Sequence, residues 1–169
     1  MKKATLILAA FATMFISCNK DNEEIIDPIL KGEYVFYEPC INWGADENTV
    51  ISYVNAMGGW TKSEEEEANK LRFVNDKTAS SMSYEFGEKG LEGASVTYFG
   101  VNEKFETFKN DITTKYDVTD WRQQAETMGI TWYYGTSNKV DCCISMGYSE
   151  MLGGYMYADF SRDLFHPFK

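Results

Sequence analysis

The chain has 169 residues and a formal net charge of −10, from 16 Lys and Arg against 26 Asp and Glu. This acidic balance predicts no nucleic-acid partner, because phosphate contacts need clustered basic side chains. It also predicts no electrostatic binding to anionic lipid. The length fits one domain with a real hydrophobic core.

The first 17 residues have the pattern of a secretory signal peptide. Two lysines precede an apolar run over residues 4–16, which is shorter than the roughly 20 apolar residues of a membrane-spanning helix. Residues 15–18 (FISC) resemble a bacterial lipobox. This resemblance implies that residues 1–17 are removed, that Cys18 is diacylated, and that its lipid anchors the protein to a membrane.

Residues 18–30 are polar, acidic and interrupted by Pro28, which predicts a flexible tether. The acidic residues after Cys18 resemble the surface-export signal of lipoproteins in Bacteroidetes-type bacteria, and a generic solvated linker is the alternative. We therefore expect an outer-membrane lipoprotein that faces the periplasm or the cell surface. Residues 31–169 are expected to form a single α+β domain.

Three cysteines remain once Cys18 is assigned to lipid. Outside the cytoplasm disulfides are allowed, so Cys40 paired with Cys142 or with Cys143 is one interpretation. The other is that these cysteines fill space as small hydrophobic residues. Adjacent strand residues point to opposite faces, so Cys142 and Cys143 cannot both lie in the core.

The sequence carries an internal resemblance between its two halves. Residues 43–47 (WGADE) resemble residues 99–103 (FGVNE), and residues 82–87 align with residues 142–147. Self-similarity in the same order predicts a duplication, with repeat 1 at about 41–99 and repeat 2 at about 100–160. The alternative is two similar supersecondary units of separate origin.

Each repeat begins with a predicted helix. Asp46 is a candidate N-cap for the first helix, because a carboxylate there accepts hydrogen bonds from free amides, and Gly58 is a candidate end. Asn102 is the candidate cap of the second helix. The apolar residues recur at helical spacing and predict buried stripes: Val50, Ile51, Val54 and Met57 in the first helix, Phe105, Phe108 and Ile112 in the second.

Three strands are predicted after each helix. They are residues 71–74, 81–86 and 94–99 in repeat 1, and residues 131–134, 140–146 and 155–160 in repeat 2. Period-two alternation, as over residues 81–86, is typical of half-buried strands. The sequence therefore predicts an α+β fold, in which two tandem helix-plus-three-strand repeats form one antiparallel sheet with helices on one face. Residues 33–37 (EYVFY) are a candidate edge strand.

The last predicted strand can be aligned with its counterpart in repeat 1 in two ways. One alignment places Met156 and Ala158 inside, and the other places Tyr157 opposite Val96. A slip of one residue exchanges the two faces of a strand, so the sequence leaves the outward tyrosines open.

No motif for catalysis, metal or cofactor binding stands out. The one histidine, His166, lies beside Pro167 near the end of the chain, which is a poor position for an oriented catalytic base. The sequence lacks HExxH, CxxC, EF-hand and phosphate-loop patterns. We expect no catalytic residues, no metal site and no cofactor. A glycan hydrolase that uses two carboxylates stays an alternative, with candidates Glu85, Glu88, Glu92, Asp141 and Asp159.

Aromatic residues are the better lead to function, with 4 Trp, 11 Tyr and 11 Phe. Tyr133, Tyr148, Tyr155 and Tyr157 cluster in the second half and form our candidate binding face, because tyrosine combines a large contact area with a polar group. Ordinary packing within the sheet is the alternative for each of them.

Two resemblances support a binding role. Residues 38–46 (EPCINWGAD) followed by a helix look like a motif of small Bacteroidetes-type lipoproteins of unknown function. The duplicated plan is similar to the β-lactamase-inhibitor-protein fold, which implies one curved sheet that grips a partner protein. We expect a membrane-anchored, non-catalytic binding module for a protein, peptide or glycan. A glycan hydrolase and a structural subunit of an outer-membrane complex are the alternatives.

Overall fold

The computed structural model describes residues 33–64, 67–127, 129–149 and 154–162. The signal peptide, Cys18, the tether at 18–30 and His166 lie outside these residues. Two helices are described, α1 (Glu47–Met57) and α2 (Phe105–Tyr116). The strands are β1 (Thr61–Lys62), β2 (Lys70–Asn75), β3 (Ser80–Gly87), β4 (Gly90–Tyr98), β5 (Arg122–Thr127), β6 (Ile130–Thr136), β7 (Cys143–Ser149) and β8 (Tyr155–Ser161).

The strands form one antiparallel sheet in the order β1-β2-β3-β4-β8-β7-β6-β5. Sequential strands pair as neighbours within each half of the chain, and the β4–β8 pair joins the two halves. The last described strand therefore lies in the middle of the sheet. These elements confirm the predicted α+β class and the single antiparallel sheet.

Four strands follow each helix, one more than predicted. β1 has only two residues, and β5 (RQQAET) lacks the apolar alternation by which half-buried strands are recognised. Both lie at edges of the sheet, where a strand needs no buried side chains to stay paired. The predicted total of about six strands was too low for this reason.

The first helix forms as its sequence predicts. The Thr49 amide donates a hydrogen bond to Asp46 Oδ1 over 2.8 Å, so Asp46 is the N-cap. Val50 and Val54 are fully buried, and the helix ends at Gly58, whose φ is positive (+68°). The predicted cap, apolar stripe and end of α1 are confirmed.

The second helix begins later than predicted. Asn102 starts a 3-10 turn that runs through Lys104, and α2 begins at Phe105 with no side-chain hydrogen bond at its N-cap. Asn102 as the cap of α2 was therefore wrong. The predicted stripe is confirmed, because Phe105, Phe108 and Ile112 are all buried.

The pairing register defines the two faces of the sheet. On what we call the core face, Ala94 lies opposite Tyr84 and Phe160, while Val96 lies opposite Met82 and Ala158. The buried side chains of this face are Leu71, Phe73, Met82, Tyr84, Ala94, Val96, Tyr98, Ile144, Met146, Met156, Ala158 and Phe160. The open register of β8 is thereby settled, with Met156, Ala158 and Phe160 inside.

Residues 33–43, which we call the strap, cross the core rather than extend the sheet. The Tyr37 amide donates to Tyr98 Oη at 3.0 Å, and the Cys40 amide donates to Tyr84 Oη at 3.2 Å. Tyr34 Oη donates to Asp111 Oδ2 at 2.6 Å and so ties the strap to α2. The prediction of an edge strand at 33–37 was wrong, because tyrosine hydroxyls take the place of a backbone ladder here.

Candidate functional site

The second side of the sheet, which we call the outer face, is more polar than the core face. Its residues alternate with the buried ones along the same strands. They include Arg72, Ser81, Ser83, Glu85, Gly93, Ser95, Thr97, Trp132, Tyr134, Ser145, Gly147, Tyr155, Tyr157 and Asp159. Most of these side chains are half-buried, so they remain accessible to solvent while they pack sideways on one another.

A polar row crosses the middle of this face. Asp159 on β8 lies opposite Ser95 on β4 and Ser145 on β7, and Ser95 lies opposite Ser83 on β3. Neighbouring strands lie about 4.8 Å apart. Three hydroxyls and one carboxylate therefore line up across four adjacent strands.

An aromatic group flanks this row. Tyr157 and Trp132 both lie opposite Gly147, on either side of β7. A Cβ atom at Gly147 would lie 3.0 Å from Trp132 Cε3, so the indole ring covers the space that this glycine leaves free. The Trp132 and Tyr157 rings meet edge to face, with centroids 6.1 Å apart at 83°.

Tyr155 extends the aromatic group along β8. Its ring lies nearly parallel to that of Tyr157, with centroids 6.1 Å apart at 9°, and the Phe99 ring lies 5.9 Å from it. Burial raises the pKa of both Tyr155 and Tyr157 above the ordinary tyrosine value. Both phenols therefore stay neutral at physiological pH and can donate as well as accept hydrogen bonds.

Asp159 is the carboxylate at the centre of this arrangement. Burial, and then the nearby charge of Glu85, raise its pKa to about 6. The Tyr157 hydroxyl and the Phe160 amide oppose this shift, because hydrogen bonds to a carboxylate favour its charged form. Asp159 is therefore poised to change charge just below neutral pH.

Glu85 reaches toward Asp159 across a position without a side chain. A Cβ at Gly93 would lie 3.6 Å from Glu85 Cβ and 3.8 Å from Glu85 Oε2, so the Glu85 side chain extends over that glycine. Lys70 Nζ lies 3.2 Å from Glu85 Oε1 and 3.3 Å from Glu67 Oε2. This pairing is solvent-exposed and therefore weak.

We refer to Trp132, Tyr155, Tyr157, Asp159, Ser95 and Ser145 together as the central patch. Aromatic rings, hydroxyl groups and one carboxylate can bind a ligand through apolar contact, hydrogen bonds and charge. Among the described residues no group of three or more His, Cys, Asp or Glu side chains is arranged to hold a metal ion.

The four tyrosines of the candidate binding face do not lie on one face. Tyr155 and Tyr157 belong to the central patch, whereas Tyr133 and Tyr148 lie on the core side with Phe105 of α2. The Phe105 ring is 4.3 Å from Tyr148 and 5.4 Å from Tyr133 by centroid distance. Period-two geometry separates them, because pairing places Tyr133 opposite the buried Met146.

The three described cysteines are free, so the disulfide from Cys40 to Cys142 or Cys143 is not formed in this structure. Cys40 and Cys142 are buried in the core, and Cys143 points to the opposite, partly exposed side of β7. Burial is the main cause that raises the pKa of Cys142 to about 12. Its thiol is therefore protonated and unreactive at neutral pH.

Sequence reasoning named Asp159 only among five carboxylates that it could not rank, and it missed Trp132 and the serines. The other four candidates fare differently. Glu85 lies beside Asp159, and Asp141 lies at the end of the sheet, 3.8 Å from Arg162 Nε. Glu88 is exposed in the turn between β3 and β4, and Glu92 is exposed near the start of β4. The alternation of Ser81, Ser83 and Glu85 was the available signal for the polar face.

Comparisons with known proteins do not add to this geometry. No family model, curated protein or solved structure matches the chain. In the described part of the chain, neither helix has the length and apolar content needed to cross a bilayer.

Proposed function

We propose that this chain is a membrane-anchored extracytoplasmic lipoprotein whose outer sheet face is a non-catalytic binding surface for a protein, peptide or glycan. The observation that carries the proposal is the central patch, where half-buried Trp132, Tyr157 and Tyr155 form an aromatic group and the Tyr157 hydroxyl donates to Asp159. Aromatic side chains with polar groups are the residues that most often anchor interfaces. The anchor itself rests on the lipobox-like residues 15–18.

Backbone conformation supports the proposed duplication of the domain. Residues with positive φ recur at equivalent places in the two halves. The pairs are Gly44 and Gly100 before the helices, Gly58 and Asp117 at the helix ends, Asn69 and Gly129 before β2 and β6, and Gly90 and Gly154 at the starts of β4 and β8. A positive φ is unfavourable for residues other than glycine. Its recurrence at matching places, including Asp117 and Asn69, therefore favours a common ancestral unit.

Contacts of α2 support the proposal that the helices cover the core face. The Phe108 ring lies 5.2 Å from Tyr98, and the Tyr116 ring lies 5.2 Å from Phe160. Val50 and Val54 of α1 belong to the same buried cluster. In this arrangement the outer face is the side of the sheet that a partner would reach.

The binding role is tested with the purified full chain in detergent micelles, screened against peptide and glycan arrays. We expect bound ligands to be lost when Tyr155 and Tyr157 are both replaced by Ala. Tyr53→Ala on α1 is the matched control, because Tyr53 is the exposed tyrosine of a helix. Equal binding by the double variant and the control would contradict the proposal.

The proposed anchor has a separate test in the intact mass of the protein purified from a bacterial membrane. We expect a chain that starts at residue 18 and carries acyl groups, while Cys18→Ser should retain residues 1–17. A wild-type chain that keeps its leading lysines and stays in the aqueous phase of a detergent extraction would contradict the anchor.

A glycan hydrolase is the second candidate, favoured by one observation. Asp159, whose pKa is raised to about 6, lies beside the second carboxyl group of Glu85, and glycosidases use two carboxyl groups, one of them a general acid with a raised pKa. Release of reducing ends from cell-wall or dietary glycans would support it. This activity should vanish in both Asp159→Asn and Glu85→Gln. If either variant still releases reducing ends, Asp159 and Glu85 are not the catalytic pair.

A further inference from the structure

We infer that the central patch takes a positively charged side chain, a lysine or an arginine, from a polypeptide partner. The inference rests on the proposed binding role of the outer face and adds the chemistry of the ligand. It starts from the pairing of charges around Asp159.

Two carboxylates approach each other on this face, and only one has a basic neighbour. Lys70 lies beside Glu85, whereas no ion pair between described residues includes Asp159. A half-buried carboxylate next to a second negative charge is costly unless a cation compensates it. A partner's lysine or arginine would supply the missing charge.

The surroundings of Asp159 suit such a side chain in its other parts as well. Tyr157 and Tyr155 offer aromatic rings, along which an aliphatic stem packs and near which a cation is stabilised. Ser95 and Ser145 flank Asp159 in register and can accept hydrogen bonds from N–H donors. The site therefore combines the carboxylate of Asp159 with hydroxyl groups on the two neighbouring strands and aromatic rings further along β8.

The overall charge acts in the same direction. The chain carries a net −10, and a field of that sign attracts basic partners and repels acidic ones during encounter. The central patch would then select the final position, because the carboxylate of Asp159 lies beside aromatic rings on the outer face.

Binding should also depend on pH, since a cation binds the ionised form of Asp159. The titratable and charged groups on the outer face around it are Glu85 on β3, Lys70 and Arg72 on β2, Tyr155 and Tyr157 on β8, Cys143 on β7 and Tyr134 on β6. With a pKa of about 6, Asp159 changes charge just below neutral pH. Affinity should fall as the pH drops through this value.

The test uses the full chain in detergent with acetyl-trilysine amide as the probe, in about 0.15 M salt to screen long-range attraction. The same peptide with acetylated Nζ atoms is the uncharged control probe. Binding is followed by NMR shifts of the β8 amides. We expect Asp159→Asn to weaken trilysine binding about tenfold, as for a lost charge-assisted hydrogen bond, and to remove the pH dependence.

Glu106→Gln on α2 is the matched control, because it removes the same charge from an exposed position and should change affinity less than about twofold. Equal losses in the two variants, or equal binding of the acetylated probe, would overturn the inference. The inference would also be overturned if the ligands found on the arrays were uncharged and lost binding when Tyr155 and Tyr157 were replaced. That result would still support the proposed binding surface. Asp159→Asn is nearly isosteric, and its circular dichroism spectrum checks that it folds.

Discussion

The two faces of β8 place different chemistry on one strand. Met156, Ala158 and Phe160 on the core face are fully buried, and the alternating residues include Tyr155, Tyr157 and Asp159. The buried set is apolar, as packing requires. The alternating set keeps a carboxylate at a desolvated position, which adds nothing to packing and costs stability. Such costs are typical of binding and catalytic sites, and this contrast is our reason to place function on the outer face.

The largest expected effect comes from breaking the core face. Phe108 is fully buried on α2 and contacts Tyr98 and Tyr34, with ring centroids 5.2 and 6.2 Å away. We expect Phe108→Ala to lower the free energy of unfolding by about 3–5 kcal/mol, through lost burial and a cavity. Urea denaturation measures this value. A loss no greater than that of Tyr157→Ala would contradict the division between the faces.

Asp159→Asn is expected to stabilise the protein. The folded-state pKa of Asp159 is about 6, above its ordinary value of 3.8, so its ionisation favours unfolding. The contribution of the Asp159 carboxyl group to folding stability is fully present below pH 3.8 and is lost as the pH rises through about 6. At pH 7 we therefore expect Asp159→Asn to raise the free energy of unfolding by about 1–3 kcal/mol.

Urea unfolding between pH 4 and pH 8 checks this sign. The stability gain should shrink toward zero at the acidic end, where the native carboxyl group is already neutral. A variant that is less stable than wild type at pH 7 would show that the hydrogen bonds from the Tyr157 hydroxyl and the Phe160 amide outweigh the cost of burying Asp159, and would weaken the case for a binding site.

Tyr98→Phe tests the hydroxyl groups that fasten the strap. The change leaves the Tyr37 amide without the acceptor that it has at 3.0 Å. An unpaired buried donor costs about 1–3 kcal/mol, and because the Tyr37 amide is part-buried we expect a loss near the lower end of that range in thermal unfolding. Tyr134→Phe on the outer face is the matched comparison, and it should cost less because that side chain is half-buried.

The smallest expected effect on stability comes from Tyr157→Phe, which tests the electrostatics of the outer face. The Tyr157 hydroxyl lowers the pKa of Asp159, so Tyr157→Phe should raise that pKa above its wild-type value. A carbon-13 NMR titration of the Asp159 carboxyl group measures the change. The free energy of unfolding should change by only a few tenths of a kcal/mol, as is usual away from the core. An unchanged or lower pKa would contradict the placement of this hydroxyl.

Much of the fold could be predicted where the physics is local. The apolar spacing of α1 and α2 and the alternation of β3 are local signals, and the structure confirms them. β5 could not be found in this way, because its six residues (RQQAET) pair at an edge and carry no apolar alternation. The strap looked like a strand, since residues 33–37 (EYVFY) are rich in aromatic and β-branched residues, but the hydrogen bonds of Tyr34 and Tyr37 go to distant side chains.

The candidate site depended on pairing between halves of the chain, which sequence alone does not provide. Tyr157 could be named, but its side was open until β8 was seen to pair with β4 and β7. The same pairing brings Asp159 between Ser95 and Ser145, from strands far apart in sequence. Tyr133 and Tyr148 could not be distinguished from Tyr157 by their sequence pattern. Only the pairing register assigns them to the core face.

The central position of β8 also has a consequence for biosynthesis. A ribosome releases this strand after the other seven, yet the sheet needs it to join its two halves. Until then the nascent chain exposes the free edges of β4 and β7, and unpaired edges invite association with other chains. Long-range pairing of this kind slows folding, so a chaperone that shields those edges until synthesis ends would raise the yield of correctly folded protein.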